Sequence, residues 1–443
     1  MSGGGGAADL LARHRAVLPS WLTLNYEQPI EIAAGKGCRV IDGEGNEYLD
    51  FFAGILTNML GYGVPEVTEA IAAQADTGVL HTSTLYLIRS QVELAERIAE
   101  LSGIPDAKVF FTSSGTEANE AALLLTTSAR RSNQVLALRN SYHGRSYAAM
   151  GVTGNRGWSP SSFSPVDVSY VMNGYRYRSP FGHLSDADYC RAAADDLRDV
   201  LLTTTSGDVA CMIAEPVQGV GGFVVPPTGF FRALKDVLDE HGIPFVSDEV
   251  QTGWGRTGDT FWGISAHGVV PDAMTFAKGL GNGLSIGGVV ARADLMDGLT
   301  ANSISTFGGN PLSTRGALAT LDYLLHHDLQ ANARAVGRRL LDGLREIART
   351  VPLVGEVRGA GLMIGIELVE PGTRVPDPAA AARAMEETRR RGLLIGKGGL
   401  HGNVLRVAPP LTLGADEADE GLDILRAALL AATDPTAEGS TPA

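Results

Sequence analysis

Lysine is scarce in this chain: five residues among 443, at Lys36, Lys108, Lys235, Lys278 and Lys397. Cysteine is scarcer still, with only Cys38, Cys190 and Cys211. Three scattered cysteines build neither a disulfide framework nor a thiolate metal site, so a reducing cytoplasm is the expected setting. Positive charge is also short. Thirty-six basic against fifty acidic residues leave a net charge of −14, which excludes most nucleic-acid binders. No apolar run reaches the ~18 residues of a membrane span. The opening "MSGGGGAADL" has no charged stretch followed by an apolar run, so no signal peptide is expected. Both ends, the front Gly run and "TDPTAEGSTPA", read as disordered.

What is present is a chain 44% hydrophobic and 19% charged, enough for two or three packed units. From about residue 105, short apolar runs alternate with amphipathic segments. "KVFFT" (108–112), "VLAL" (135–138), "ACMIAEP" (210–216), "IPFVSDE" (243–249) and "AMTFAKG" (273–279) read as buried strands. Such runs suit a parallel sheet covered on both faces. Between them, Ala118, Ala121, Ala122 and Leu125 share one helical face, and "TGFFRALKDVLDEHG" reads as a helix closed by glycine. The alternation predicts an open α/β domain. A long helical region, roughly 311–350, then leads to "GLMIGIELVE", "NVLRVAPPLTL" and a closing helix near 416–432, a second and smaller α/β unit. Near the start, "KGCRVIDGEGNEYLDF" reads as a hairpin around Gly43–Asn46.

Open α/β sheets bind ligands at the C-terminal ends of their strands, so the residues after each strand carry the functional reading. After "KVFFT" come Ser114, Gly115 and Thr116 at a helix start, where free N–H groups and the helix dipole favour phosphate. The plainer reading is an N-cap, with Ser114 capping and Glu117 completing a capping box. After "VLAL" come Tyr142 and His143, and an aromatic face there can stack on a flat ligand or be an ordinary half-buried tyrosine. Glu215 ends the next strand and Asp248 the one after it.

Lys278 is the lysine that ends an apolar strand at this edge. In a dry pocket its amine has a lowered pKa and attacks carbonyls. A buried Lys278–Asp248 ion pair is the alternative, but such pairs seldom gain over apolar packing. One ligand accounts for all these groups: pyridoxal 5′-phosphate. Lys278 supplies the amine for its aldehyde, the helix start takes its phosphate, and Tyr142 and Val250 flank its ring. Asp248 keeps its pyridine nitrogen protonated. Opposite charges ~4 Å apart attract by about 4 kcal/mol at a surface-like dielectric, enough to hold that proton at neutral pH.

The motifs "SGTEANEAA", "YHGR", "EPVQG", "DEVQTGWGRTG", "AKGLGNG" and "TFGGNPL" resemble, in order and spacing, those of the class III aminotransferases. The resemblance covers about residues 20 to 430. It implies the fold-type-I transferase fold: a large domain with a mostly parallel seven-stranded sheet, and a smaller α/β domain built from both termini. The division expected is 1–61 joining the small domain, 62–309 as the cofactor-binding domain and 310–443 completing the small domain. The resemblance implies that Lys278 forms the Schiff base and shuttles the proton. It further implies that Asp248 holds the pyridine nitrogen, Gln251 reaches the ring's phenolic oxygen, Tyr142 and Val250 sandwich the ring, and Ser114, Gly115 and Thr116 bind phosphate. Thr306 is implied to reach the phosphate of a neighbouring subunit, so a homodimer, or a tetramer built from it, is expected. Arg406, in "NVLRVAPPL", matches the arginine for substrate carboxylates, and Glu215 the acid that neutralises it when an uncharged substrate end arrives.

Within the family, "YRSPFG" and "GLLIGKGGLHGNVLRVAPPL" resemble the alanine–glyoxylate aminotransferase 2 branch. That implies amino donors such as β-alanine, 3-aminoisobutyrate, 4-aminobutyrate or alanine, with pyruvate or glyoxylate as acceptor. The alternatives are a 2-oxoglutarate-dependent 4-aminobutyrate or acetylornithine aminotransferase, and a phospho-lyase. Arg178 is a candidate second carboxylate contact or a loop cap. A phosphate loop at "LLIGKGG" is weak, since Arg391 stands where glycine belongs and Gly398 where Ser or Thr belongs. "GLGNGLSIGG" lacks the dinucleotide spacing, and adjacent His326 and His327 point apart on a helix and cannot share a metal, so no metal site is expected.

Overall fold

After a helix, Ala7–Val17, three strands, β1 (Ile32–Lys36), β2 (Arg39–Asp42) and β3 (Glu47–Asp50), form an antiparallel meander. The computed structural model describes residues 7–433; the expectations for the two ends fall largely on residues outside that span. The turn between β2 and β3 is organised by Asp42, whose Oδ1 accepts from the amides of Glu44 (2.9 Å) and Asn46 (2.8 Å). The expected hairpin around Gly43–Asn46 is therefore present.

A seven-stranded sheet forms the centre. Its strands are β4 (Ala107–Thr112), β5 (Gln134–Leu138), β6 (Asp167–Val171), β7 (Val209–Ala214), β8 (Phe245–Asp248), β9 (Ala273–Phe276) and β10 (Gly287–Arg292), in the spatial order β4-β10-β9-β8-β7-β5-β6. The pairs among β6, β5, β7, β8 and β9 are parallel, and β10 runs antiparallel to both β9 and β4. All six residues of β7 and all four of β8 and β9 are buried. Their side chains alternate between two cores: Met212 and Phe245 join one, Cys211, Ile213 and Val246 the other. That double burial explains the unbroken apolar runs. The helix Phe230–Glu240 buries Phe230, Phe231, Leu234, Val237 and Leu238 on one face, each contributing about 1.5–3 kcal/mol of burial.

Two strands escape the apolar-run criterion. β10 begins with Gly287 and Gly288, and β6 is an edge strand with a half-exposed pattern. The helical region 311–350 is two helices, Pro311–His326 and Leu329–Thr350. Asp328, at φ +46°, breaks the first and caps the second, accepting from Ala331 N.

The later strands are β11 (Val354–Ala360), β12 (Met363–Leu368), β13 (Leu393–Leu394), β14 (Gly396–Gly398) and β15 (Val404–Val407). β11-β12-β15-β14 form one sheet, with Arg406 opposite both Gly365 and Gly396. β13 instead lies parallel to β3, pairing Leu393 with Leu49 and Leu394 with Asp50, so early and late chain share a sheet. The closing helix is Ala415–Ala432. No described helix is long and apolar enough to cross a membrane.

Candidate active site

Because β4, β5, β7, β8 and β9 run the same way, the residues that follow them meet at one edge of the sheet. Asp248 ends β8 and is buried. Its Oδ2 faces Nδ1 of His143 at 2.7 Å and accepts from Asn119 Nδ2 at 2.8 Å, while Oδ1 accepts only the Val250 amide at 3.1 Å. Asn119 is fixed in turn by Thr275, whose hydroxyl donates to Asn119 Oδ1 (2.7 Å), and by its own bond to the His143 carbonyl (2.6 Å). The carboxylate's partners are thus His143, Asn119 and Val250, and the alternative of a structural ion pair with Lys278 is not what holds it.

Lys278 follows β9 after Ala277, with φ +44° in the left-handed region. A non-glycine residue pays for that backbone and keeps it where its side chain must be aimed. Burial lowers its pKa below the usual lysine value, the Arg406 cation adds to this, and Asp248 and Glu215 oppose it. The neutral amine that nucleophilic work needs is thereby favoured.

Ser114 caps the helix Gly115–Arg130, its Oγ accepting from Glu117 N at 3.2 Å. The capping box is offset from expectation: the Glu117 carboxylate accepts from Ser113 N (2.8 Å) rather than from the cap residue. Helix geometry leaves the first-turn N–H groups of Gly115 and Thr116 without intrahelical acceptors. A Cβ on Gly115 would come within 2.9 and 3.1 Å of the two Val250 methyls. Only glycine lets the phosphate-type cradle abut the residue expected beneath the ring. Tyr142 is half-buried on the same edge, its ring edge-on to Trp158 at 5.4 Å.

Glu215 follows β7 and is buried, its oxygens accepting from the amides of Tyr142 (2.9 Å) and Gly219 (2.8 Å). Burial pushes its pKa up to about 7, with Asp248 adding to the rise and His143 and the two amides opposing it. Arg406 is buried as well. Its Nη2 donates to Gln251 Oε1 at 2.9 Å, its Nε has no partner, and its guanidinium carbon lies 4.4 Å from the Phe223 ring centre and 5.2 Å from that of Phe52. Burial lowers its pKa to about 10, and Glu215 counters that. Gln251, expected at the ring's phenolic oxygen, is engaged here by Arg406.

Arg178 and Thr306 make none of these contacts. Arg178 donates through Nε to Glu367 (2.5 Å) and through Nη1 to the Arg374 carbonyl (2.8 Å), and its Nη2 has no partner. Thr306 is exposed in the loop before Pro311, beside exposed Phe307. Asn119, Phe52 and Phe223 were not visible as site residues. Asn119 had one signal, a polar residue between the buried Ala118 and Ala122 of an apolar helix face.

An amine with lowered pKa, a buried acid with an oxygen to spare, and a helix start closed against Val250 match the aldehyde, ring nitrogen and phosphate of pyridoxal 5′-phosphate. The comparisons agree. Residues 23–429 match the Aminotransferase class-III family. An alanine–glyoxylate aminotransferase 2 homolog 2, mitochondrial, of Arabidopsis thaliana is 40% identical over 422 residues, 94% of this chain and 86% of that protein. Among solved structures, an (S)-enantioselective omega-transaminase from Thermomicrobium roseum is 34% identical with a TM-score of 0.89, covering 97% of this chain and 99% of its own. A phospholyase from Arthrobacter, in complex with phosphoethanolamine, is also 34% identical, with a TM-score of 0.86 over 95% of this chain and 99% of its own. The chain belongs to the class III aminotransferases, and it is a transaminase that depends on pyridoxal 5′-phosphate.

Proposed function

We propose that this enzyme moves the amino group of an ω-amino acid (β-alanine, 3-aminoisobutyrate or 4-aminobutyrate) or of alanine to a small 2-oxo acid such as pyruvate or glyoxylate. The observation that carries this is Arg406, a buried guanidinium with an unpartnered Nε and a glutamine as its side-chain acceptor. Such a fork matches a carboxylate in two parallel hydrogen bonds. The 40% identity to the Arabidopsis alanine–glyoxylate aminotransferase 2 homolog supports the same branch.

Bound pyridoxal phosphate supplies an aldehyde that captures amines and a ring that takes up the electrons of a broken C–H bond. Lys278 Nζ would hold that aldehyde carbon and, once freed by a donor amine, would carry the proton between the amine-bearing carbon and the former aldehyde carbon. Asp248, fixed by His143 and Asn119, keeps the ring nitrogen protonated. Ser114, Gly115 and Thr116 would bind its phosphate, and Tyr142 and Val250 would flank its ring. Arg406 orients the substrate carboxylate. Glu215, whose charge acts on Arg406, neutralises it when an uncharged substrate end arrives, so one pocket accepts two partners in turn. The two half-reactions follow each other at one site, a ping-pong scheme.

The working unit in this proposal is a homodimer in which Thr306 reaches the neighbour's phosphate. Exposed apolar side chains support it: Leu87 is 99% exposed and Phe307, next to Thr306, 63%. The domain division 1–61 with 310–443, and 62–309, belongs to the same reading, as does the cytoplasm for a chain with three unpaired cysteines.

Purified enzyme mixed with β-alanine, 4-aminobutyrate, 3-aminoisobutyrate, acetylornithine and alanine tests the reading, with the change in cofactor absorbance followed for each. Conversion by an ω-amino acid, and alanine formed on adding pyruvate, are expected. Inorganic phosphate released from phosphoethanolamine, with no alanine formed, would overturn it in favour of a phospho-lyase.

A further inference from the structure

Phe223 holds a backbone conformation that its residue type resists. Its φ is +52°, in the left-handed region where a Cβ crowds the following carbonyl, and its side chain is fully buried. It follows Glu215 in the loop "VQGVGGF", and its ring centre lies 4.4 Å from the Arg406 guanidinium carbon. Strained backbone persists where its surroundings over-determine it. Within the loop, Phe223 N donates to the Gly219 carbonyl (3.2 Å), and Gln218 and Val224 exchange two bonds of 3.1 Å.

The remaining restraint comes from distant sequence. Arg358, on β11, donates both Nε (3.0 Å) and Nη2 (2.8 Å) to the carbonyl oxygen of Gly222, the peptide that leads into Phe223. A Cβ on Gly222 would stand 3.0 Å from Arg358 Nη2, and its φ is +106°, so glycine alone allows the approach. Arg358 is itself aimed from behind. Its Nη1 donates to fully buried Glu367 (2.7 Å) and to Glu356, and its guanidinium lies 4.7 Å from the Tyr175 ring centre. Tyr175 also donates to Glu367.

We propose that Arg358 is a positioning residue for substrate carboxylates: by fixing the Gly222 carbonyl it holds Phe223 in its strained backbone and its ring against Arg406. A ring against the guanidinium leaves the N–H groups in the guanidinium plane for a carboxylate. The unpartnered Nε is one of them. This rests on the reading of Arg406 as the carboxylate-binding residue. Arg358 touches neither substrate nor cofactor in this scheme; it acts through a carbonyl and a ring.

The test measures binding of butyrate, a carboxylate with no amine, to the pyridoxal-phosphate-loaded enzyme by titration calorimetry. Arg358→Met and Phe223→Leu are each expected to weaken butyrate roughly tenfold, and the double variant no further than the weaker single. In turnover, KM for 4-aminobutyrate should rise by more than kcat falls. Arg358→Lys, which keeps the charge but not the two-point grip, should recover part of the loss. Parent-like butyrate affinity in folded Arg358→Met overturns the proposal, and so do losses that multiply in the double variant. Should Arg358→Met lack a cooperative unfolding transition, Arg358→Lys decides alone: weakened butyrate supports the proposal and parent-like affinity overturns it. Arg406→Ala separates the two claims, because undiminished butyrate binding in that variant removes the carboxylate role of Arg406 itself.

Discussion

Nδ1 of His143, in the segment after β5, and Oδ2 of Asp248, at the end of β8, lie 2.7 Å apart, and both side chains are buried. The imidazole and the Asn119 amide occupy one carboxylate oxygen, which leaves Oδ1, held by the Val250 amide alone, the freer acceptor for a cationic ring nitrogen. Asp248→Asn keeps the shape and removes the charge. An attraction of about 4 kcal/mol corresponds to roughly a thousandfold, so kcat/KM should fall by about that factor with the fold retained. Steady-state kinetics beside a thermal melt check this, and a loss under tenfold would remove Asp248 from its assigned role.

Lys278→Ala separates holding the cofactor from using it. The contacts proposed at Ser114, Gly115, Thr116, Tyr142 and Asp248 would remain, so the purified variant should still bind pyridoxal phosphate. Turnover should drop by more than about 10³-fold, since the proton carrier is gone. In the parent, borohydride reduction and peptide mapping should place the vitamin on residue 278. A label on another lysine, or near-parental turnover by the variant, contradicts the assignment.

Much of this edge was legible because its chemistry sits directly after apolar runs. Asp248 follows "PFVS", Lys278 follows "AMTFA", and Ser114 follows "KVFFTS", so a strand-end rule finds them without knowing the fold. What stayed hidden depends on contacts between distant positions. Gln251 meets Arg406 across 155 residues and Arg178 meets Glu367 across 189, and no local pattern encodes such pairs. β10 was hidden for a different reason: Gly287 and Gly288 dilute its apolar signal, and only the neighbours β9 and β4 make it a strand.

The two adjacent acids Asp248 and Glu249 show the same boundary. Successive residues leaving a strand point oppositely, and the second acid never faces the ligand edge. Glu249 is fully buried and accepts from the amides of Gly263 (2.9 Å) and Ile264 (2.8 Å) and from the hydroxyls of Thr252 (2.5 Å) and Ser247 (3.3 Å). Glu249→Gln turns an amide NH₂ toward those donors. The expected cost is about 2–3 kcal/mol of stability, seen as a lower Tm, with kcat of the folded fraction close to the parent's. An unchanged Tm would remove the structural role given to this carboxylate.

The packing at Gly115 leads to a prediction about the cofactor rather than the substrate. Gly115→Ala sets a methyl 2.9 Å from Val250 Cγ1, and Val250, β-branched and buried, has little freedom to yield. The helix start must move away from the ring position, which should cost about 1–3 kcal/mol and weaken pyridoxal phosphate binding. Cofactor titration of apo-enzyme followed by fluorescence measures this, and parental affinity would show that the close approach is incidental.

Glu215 gives the pH dependence its sign. Burial raises its pKa from 4.5 to about 7, so the folded protein holds the proton more tightly than the unfolded chain. Stability from this group is therefore greatest at low pH, declines as the pH rises from 4.5 to about 7, and levels off above that. The shift corresponds to on the order of 3 kcal/mol between the two ends of the window. Glu215→Gln keeps an acceptor for one of the amides of Tyr142 and Gly219 but removes the titration. Measured at pH 5.5 and pH 8, the Tm of the variant relative to the parent should rise with pH. A difference that stays constant between the two conditions means that Glu215 ionises normally in the folded enzyme and that burial does not raise its pKa.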